Sequence, residues 1–389
     1  MRQLDIITKK YDQVLIVLII LLCVIGTVML YSSSSSLSLD ETGGTTATLF
    51  LRSHLKRLFI GIIAMFFFLA LDYRRLKTIA PYLLIGSLVL LLITKIYFLI
   101  HGSSAPARWL DLGIVSIQTS DLARFSLIIY LAYYLDKKRE KIKDFYSGFF
   151  PPMMILGLML TLIIIQPDFS TAAVIGMVGF MMLFLGGAKL SQILSAGVIS
   201  IMVLIPVMLM RSYRLQRVIY WLGSFLGYQH AAPANVGYQA QQSLISLGNG
   251  GFIGLGLGNS MEKNLFLPTP HTDFIFAIIG EELGLIGALV VLTIFLVIFQ
   301  RCIRIAKETT DPFGVFLAMG FAFSLILYAF INIAVVTGVV PTTGLPLPLI
   351  SYGGSGLVIN LASLGILLNI SQSRRSVTPA RNWNQINYV

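Results

Sequence analysis

Cysteine is almost absent from this chain. Cys23 and Cys302 both lie in or beside apolar stretches, so neither a disulfide framework nor a cysteine-based metal site is implied. Charge is equally sparse. Asp, Glu, Lys and Arg make up 12% of 389 residues, about half of what a soluble domain carries. Acid is scarcer than base, 17 residues against 28. The four histidines, His54, His101, His230 and His271, are scattered. With no HExxH, CxxC pair or GxSxG, a catalytic metal centre or a nucleophile elbow has no sequence support. What abounds instead is apolar residues, 56% of the chain, with a mean hydropathy of +0.85.

That balance describes an all-α polytopic membrane protein, because the apolar runs are helix-length rather than alternating ten-residue strands. About ten transmembrane helices are predicted, near 13–31, 57–71, 80–100, 119–135, 149–166, 170–186, 190–210, 272–300, 313–336 and 353–372. The first carries no cleavage box and is read as a retained span. The whole chain, 1–389, reads as one integral membrane domain containing a large loop, 211–271, between the seventh and eighth helices. With both termini in the cytoplasm, the segments predicted inside hold twice as many Lys and Arg as those outside, as the positive-inside rule requires. Loop placement therefore explains the net charge of +11, and nucleic acid is not an expected partner.

Three outside segments stand out. Residues 32–56 are rich in Ser, Thr and Gly and read as a mobile loop. Residues 101–118 are too polar to span and too apolar to float, so they read as interfacial. The start of the long loop spaces Arg211, Arg214 and Arg217 along one face, with Trp221 and Leu222 among the apolar remainder. That pattern predicts an interfacial amphipathic helix.

Ionisable groups beside the membrane carry the chemistry. Asp273 falls at the first turn of the eighth span, after His271 and Thr272. An Asp there serves either as a helix cap or as a functional group, the default for an ionisable residue at a span's edge. Glu281 lies eight residues on, about 12 Å deeper, beside Glu282. At least one of the two has to turn inward to a partner, for structure or for function. Gly280 and Gly284 read as a close helix contact. The run GLGLGN at 254–259 is either a tight turn with close backbone packing or an amide surface for a phosphate or sugar.

Other positions are similarly two-sided. Trp109 beside Arg108 is an interface anchor or part of a diphosphate clamp. Asp121 and Arg124, three residues apart in the fourth span, pair with each other or face an interior cavity. In QPDFST at 166–171, Asp168 reads as the cap of the sixth span. The segment PTTGLPLPLISYGGSG at 341–356, with Ser351, is irregular backbone at membrane depth, which has to be covered by protein or line a cavity.

Taken together and in order, ARWLDLG at 107–113, QPDFSTA at 166–172, GYQAQQSLISLGNGG at 237–251, LPTPHTDFIFAIIGEELGLIG at 267–287 and LPLPLISYGGSG at 345–356 resemble the SEDS family of bacterial division and shape proteins, the FtsW/RodA type. The resemblance covers essentially the whole chain and leans to the division branch through GYQ and GEELG. It implies a peptidoglycan glycosyltransferase that polymerises lipid II at the outer face of the cytoplasmic membrane, with Asp273 as the essential acid. Arg108, Trp109, Asp121, Arg124, Arg211, Arg214, Arg217, Glu281 and Ser351 are the candidate substrate-binding residues. A class B penicillin-binding transpeptidase and other division or elongation membrane proteins are the implied partners. No cofactor is required by the sequence, although a divalent cation, Mg or Mn, is compatible with it. Two departures from the family pattern stand at Gln118–Asp121, where the acid is one methylene shorter, and at Pro268–Pro270, where an acid is missing. The rival expectations are an elongation polymerase, a lipid II translocase using the same cavity, and a non-catalytic scaffold for the transpeptidase.

Overall fold

The computed structural model describes residues 11–101, 108–111, 116–209, 212–226, 234–261 and 271–372. In chain order its helices are α1 (Gln13–Glu41), α2 (Leu49–Ala70), α3 (Arg75–His101), α4 (Thr119–Lys137), α5 (Phe150–Ile165, led by a π-helical turn at Phe145–Phe149), α6 (Phe169–Leu185), α7 (Leu190–Leu209), α8 (Ser212–Phe225), α9 (Ala234–Gly250), α10 (Ile275–Glu308), α11 (Pro312–Val336) and α12 (Ser355–Ser371). Two short strands, β1 (Trp109–Asp111) and β2 (Ser116–Gln118), pair antiparallel with Trp109 opposite Gln118. The ten predicted spans correspond to α1–α7 and α10–α12, and α8 and α9 belong to the long loop.

Among the described residues, seven helices are long and apolar enough to cross a membrane: α1, α2, α3, α5 with its π-helical turn, α7, α10 and α11. The shorter α6 and α12 are apolar over 17 residues each. The exception is α4, which is less apolar because its polar residues face protein. Thr119, Ser120, Asp121, Arg124 and Ser126 on it are all buried, among α3, α6, α11 and α12.

Lipid tails are as apolar as leucine, so burial alone does not hold such helices together. Close packing and interhelical hydrogen bonds do. Asn369 on α12 donates to the Leu69 carbonyl at 2.7 Å and accepts from the Tyr73 amide at 3.0 Å. Ser126 on α4 donates to Ser87 on α3 at 2.6 Å. At the end of the bundle remote from α12's start, Asp12 caps α1 through the Leu15 amide and receives Arg301 from α10 through both Nε and Nη2.

One expectation is corrected. The serine tract is not a mobile loop, because α1 continues through it to Glu41. Ser34 and Ser38 turn their hydroxyls back to the carbonyls of Leu30 and Ser34, both at 2.7 Å, which lets serines sit inside a helix without stranded polar groups. The segment from 49 onward is already α2. Part of the long loop reaches into the bundle. Its second helix, α9, packs along α10, and the turn after it plugs a break inside α10.

That break is at Gly284, whose φ of 69° and ψ of −170° belong to a region open essentially to glycine alone. It strands carbonyls and amides of α10, and the glycine-rich turn satisfies them. The amides of Leu255 and Gly256 donate to the carbonyls of Glu281 and Glu282, both at 3.0 Å, while the amide of Leu285 donates to the Gly251 carbonyl at 2.9 Å. Backbone can come this close only without side chains. A Cβ on Gly254 would overlap the Glu282 carbonyl, and one on Gly284 would press into the 252–254 backbone. The glycine run is therefore a packing device, one of its two readings, and it re-enters about 12 Å below the level of Asp273.

Candidate active site

Asp273 sits in the turn just before α10, at the bundle end that also carries the starts of α4, α6 and α12. Thr272 donates its hydroxyl to Asp273 Oδ1 at 2.8 Å. The Asp273 carbonyl accepts from Asn332 Nδ2 on α11 at 2.7 Å, and the same amide donates to the Leu345 carbonyl at 2.7 Å. Asn332 thus ties the start of α10 to the irregular 337–354 segment. Burial raises the Asp273 carboxyl above the ordinary range. The Thr272 hydroxyl, its own backbone amide and the Arg217 cation pull it back down. No capping bond from its side chain starts α10, whose cap position is Phe274, so the cap reading of Asp273 does not account for its placement.

His271 is buried between Phe50, at 4.5 Å between ring centroids, and Tyr352, at 5.3 Å. Burial pushes its imidazole down to about 4, so the ring is neutral at physiological pH. Its carbonyl accepts from the Tyr352 amide at 2.8 Å. Arg57 lies over the Tyr352 ring at 4.6 Å. Arg57, Phe50 and Tyr352 were not singled out in the sequence. Phe50 and Arg57 share one face of α2, a relationship hidden where the sequence reads residue 50 as loop.

Above Asp273 lies α8, the predicted amphipathic helix. Arg217 donates to the Thr342 carbonyl at 2.9 Å and lies within electrostatic reach of Asp273 and Arg108. Arg214 stacks over Phe169 at the start of α6, 5.4 Å from its ring. Arg211 falls outside the described residues. Arg108 is exposed, donates to the Pro167 carbonyl at 2.8 Å and reaches Asp168 at 3.6 Å. Asp168 overturns its reading as a cap. It occupies the cap position of α6 without a capping bond, and its Oδ2 instead accepts from Gln118 at 2.9 Å and Ser120 at 3.1 Å. Trp109 packs over Gly354, where a Cβ would overlap its ring.

Below these, Asp121 and Arg124 do pair, at 3.5 Å. Arg124 also donates to Ser324 at 3.2 Å and Asn360 at 3.0 Å and lies 4.3 Å over the Tyr328 ring. Ser355 donates to Asp121 at 3.0 Å and accepts from the Gln118 amide at 2.9 Å. This interior network joins α4, α11 and α12, and Ser351 lines the same small void. The Ser351 hydroxyl itself accepts from the Leu347 amide at 2.8 Å, so it holds the proline-rich turn in shape.

Glu281 and Glu282 both turn inward. Glu281 accepts from Ser246 at 2.9 Å, Ser260 at 2.5 Å and the Met261 amide at 2.9 Å. Glu282 accepts from Ser32 at 2.6 Å. The structure thus separates Glu281 from the Asp273 cluster and uses it to fasten the re-entrant turn. Among the described residues, no three His, Cys, Asp or Glu side chains converge as a metal site.

Fold and site together define a multi-pass helical membrane protein with a half-buried carboxylate beside a basic helix at one face. The sequence pattern of the FtsW/RodA/SpoVE cell cycle proteins matches residues 12–376, and the chain belongs to that family. It is 39% identical to the probable peptidoglycan glycosyltransferase FtsW of Geobacter sp. (strain M18), over 94% of this chain and 98% of that protein. It is 36% identical to stage V sporulation protein E of Bacillus subtilis (strain 168), over 95% and 99%. Among solved structures, a chain of a peptidoglycan synthase complex that coordinates polymerization and crosslinking superposes with a TM-score of 0.74 at 26% identity, covering 94% of this chain and 99% of that one. The rod shape determining protein RodA of Thermus thermophilus superposes at 0.66 and 24% identity, over 94% and 98%, and shares the fold.

Proposed function

We propose that this protein is a peptidoglycan glycosyltransferase that polymerises lipid II during cell division. The face bearing Asp273 lies outside the bacterial cytoplasmic membrane, and both termini lie in the cytoplasm. Relatives named for that activity and for division support the reading, as does the charge bias of the loops. One observation carries the chemistry. The Asp273 carboxylate is half-buried at the mouth of the bundle, oriented by Thr272, and within the field of Arg217.

The carboxylate takes the proton from the acceptor sugar's 4-hydroxyl as that oxygen attacks the donor's anomeric carbon. The undecaprenyl diphosphate leaves with the bonding electrons. Arg108, Arg214 and Arg217 offset the charge developing on it, as fixed cations do in a site screened from water. One base and one charge-stabilised leaving group give a single inverting displacement. Asp121, Arg124 and Ser351 shape the floor below, and Trp109 covers the start of α12.

The translocase reading needs an acid free to move at mid-membrane depth. The two candidates at that depth are both engaged, Glu281 by three hydrogen bonds and Glu282 by Ser32, which favours surface chemistry. A class B penicillin-binding transpeptidase is the proposed partner, supported by the likeness to a synthase-complex chain. The test is purified full-length chain with lipid II in detergent, with and without that partner. Polymer that disappears in Asp273→Asn supports the reading. Polymer undiminished in that variant overturns the assignment of the base, and no polymer from the unsubstituted chain overturns the activity.

A further inference from the structure

A second cavity, of about 220 Å³, opens between α8, α9 and the 337–342 segment. It is separate from the interior void below Asp121. Its wall carries Arg217, Tyr220, Trp221, Gln241 and Thr342, with Ala240 facing them from α9. Arg217 is shared by two environments. It lines this cavity, it donates to the Thr342 carbonyl, and its charge acts on Asp273.

We propose that this cavity is a carbohydrate subsite that holds one uncharged sugar ring of the acceptor beside Asp273. The inference rests on the glycosyltransferase reading above and adds the place where the acceptor glycan lies.

Three features point to a sugar rather than to a diphosphate or a lipid tail. Arg217 is the one cation among the described lining residues, whereas Arg108 and Arg214 lie on the α6 side of it, against Pro167 and Phe169. A diphosphate is better balanced there. The remaining described lining mixes aromatic and aliphatic side chains with an amide, a serine and two threonines, and apolar faces with a few placed polar groups are how uncharged polar ligands are oriented. Trp221 is also pre-positioned. Its Nε1 donates to the Gly338 carbonyl at 2.9 Å, so the indole plane is locked without help from a ligand. An aromatic face held that way offers C–H-bearing sugar faces a flat partner at little entropic penalty. A lipid tail is better accommodated in the larger, almost wholly apolar groove of about 670 Å³ between α1, α2 and α12.

The test uses full-length protein and two variants that leave Asp273 and Arg217 in place. Trp221→Ala removes the aromatic face, and Ala240→Phe fills the cavity from α9. Each should raise the KM for lipid II at least fivefold and shorten the glycan strands, with a smaller effect on kcat. A lipid-free tetrasaccharide of alternating N-acetylglucosamine and N-acetylmuramic acid should quench tryptophan fluorescence saturably in the unsubstituted chain and fail to do so in Ala240→Phe. If both variants keep KM and strand length within twofold of the unsubstituted chain, or if the quench persists in Ala240→Phe, the subsite is refuted while the polymerase reading stands. If the unsubstituted chain makes no polymer, the functional reading fails and the quench alone judges the cavity.

Discussion

Asn332, inside α11, donates its side-chain amide to the backbone carbonyl of Asp273, 59 residues before it, at 2.7 Å. The same nitrogen reaches the Leu345 carbonyl. One neutral side chain therefore holds the turn bearing Asp273 against the irregular 337–354 segment, and the proposed base inherits its position from it. Asn332→Leu is expected to strand two buried acceptors, at about 1–3 kcal/mol each. It should lower the melting temperature and reduce kcat at least tenfold, with less change in KM. Unaltered kcat in a folded Asn332→Leu would separate Asp273's position from this bond.

Asp273→Asn is expected to abolish polymerisation while the protein remains folded. Burial raises this carboxyl above its unfolded value. The protonated form is thus favoured by folding, and stability from this group is present below the unfolded value and lost as pH rises through the folded one. At neutral pH the charged carboxylate is a burden that the amide does not carry. The variant should therefore melt at or above the temperature of the unsubstituted chain at pH 7, a comparison that thermal denaturation in detergent makes directly.

The pH dependence of kcat/KM should show an acid limb above the ordinary carboxylate range, because the base works only when deprotonated. Arg217 holds that limb down. In Arg217→Gln the limb should move to higher pH and the plateau should fall. A limb that moves to lower pH contradicts the electrostatic link between the two residues.

His271 titrates in the opposite sense. Its folded value is about 4 against 6.5 when unfolded. Between these values the unfolded chain binds a proton that the native site excludes, so stability should fall as pH drops from 6.5 towards 4. His271→Phe keeps the aromatic contact with Phe50 and Tyr352 and should flatten that part of the profile. Melting curves at several pH values, unsubstituted against variant, measure the difference.

Gly284→Ala is expected to prevent folding of the α9–α10 unit, because the new Cβ meets backbone of the 252–254 turn and the dihedral angles suit glycine alone. Gly86→Ala in α3 is the control. No atom stands within 4 Å of its Cβ position, and helix propensity gains about 1 kcal/mol there. Size-exclusion profiles and melting temperatures should separate the two sharply. Equal behaviour would mean that the helix break tolerates a side chain.

Much of the architecture was legible because hydrocarbon is an unforgiving solvent. Apolar runs of helix length had to be helices, so α1–α7 and α10–α12 stand where the hydropathy placed them. The pairing of Asp121 with Arg124 was legible from their spacing on α4, and the amphipathic α8 from its arginines. The glycine run GLGLGN was legible as a close-packing turn, although the break at Gly284 that it packs against was not. The misreadings have a common cause. Serines 32–38 and the acid of QPDFST are residues whose local preferences favour loops and caps. In both cases partners distant in sequence compete with that preference. Glu282 receives Ser32, and Arg108, Gln118 and Ser120 surround Asp168.

The sequence by itself determined that the chain is a bundle of membrane helices and that Asp273 is an acid at the start of one of them. Both follow from the solvation of backbone and charge, which are properties of short stretches. Only the tertiary structure decided what each polar group is for. It removed Glu281 to a structural fastening, put Asn332 behind Asp273 and gave Arg217 both the carboxylate and a second cavity. Those roles depend on which donors come within about 3 Å of which carbonyls and carboxylates, across gaps of up to 300 residues, and no local pattern contains that distance.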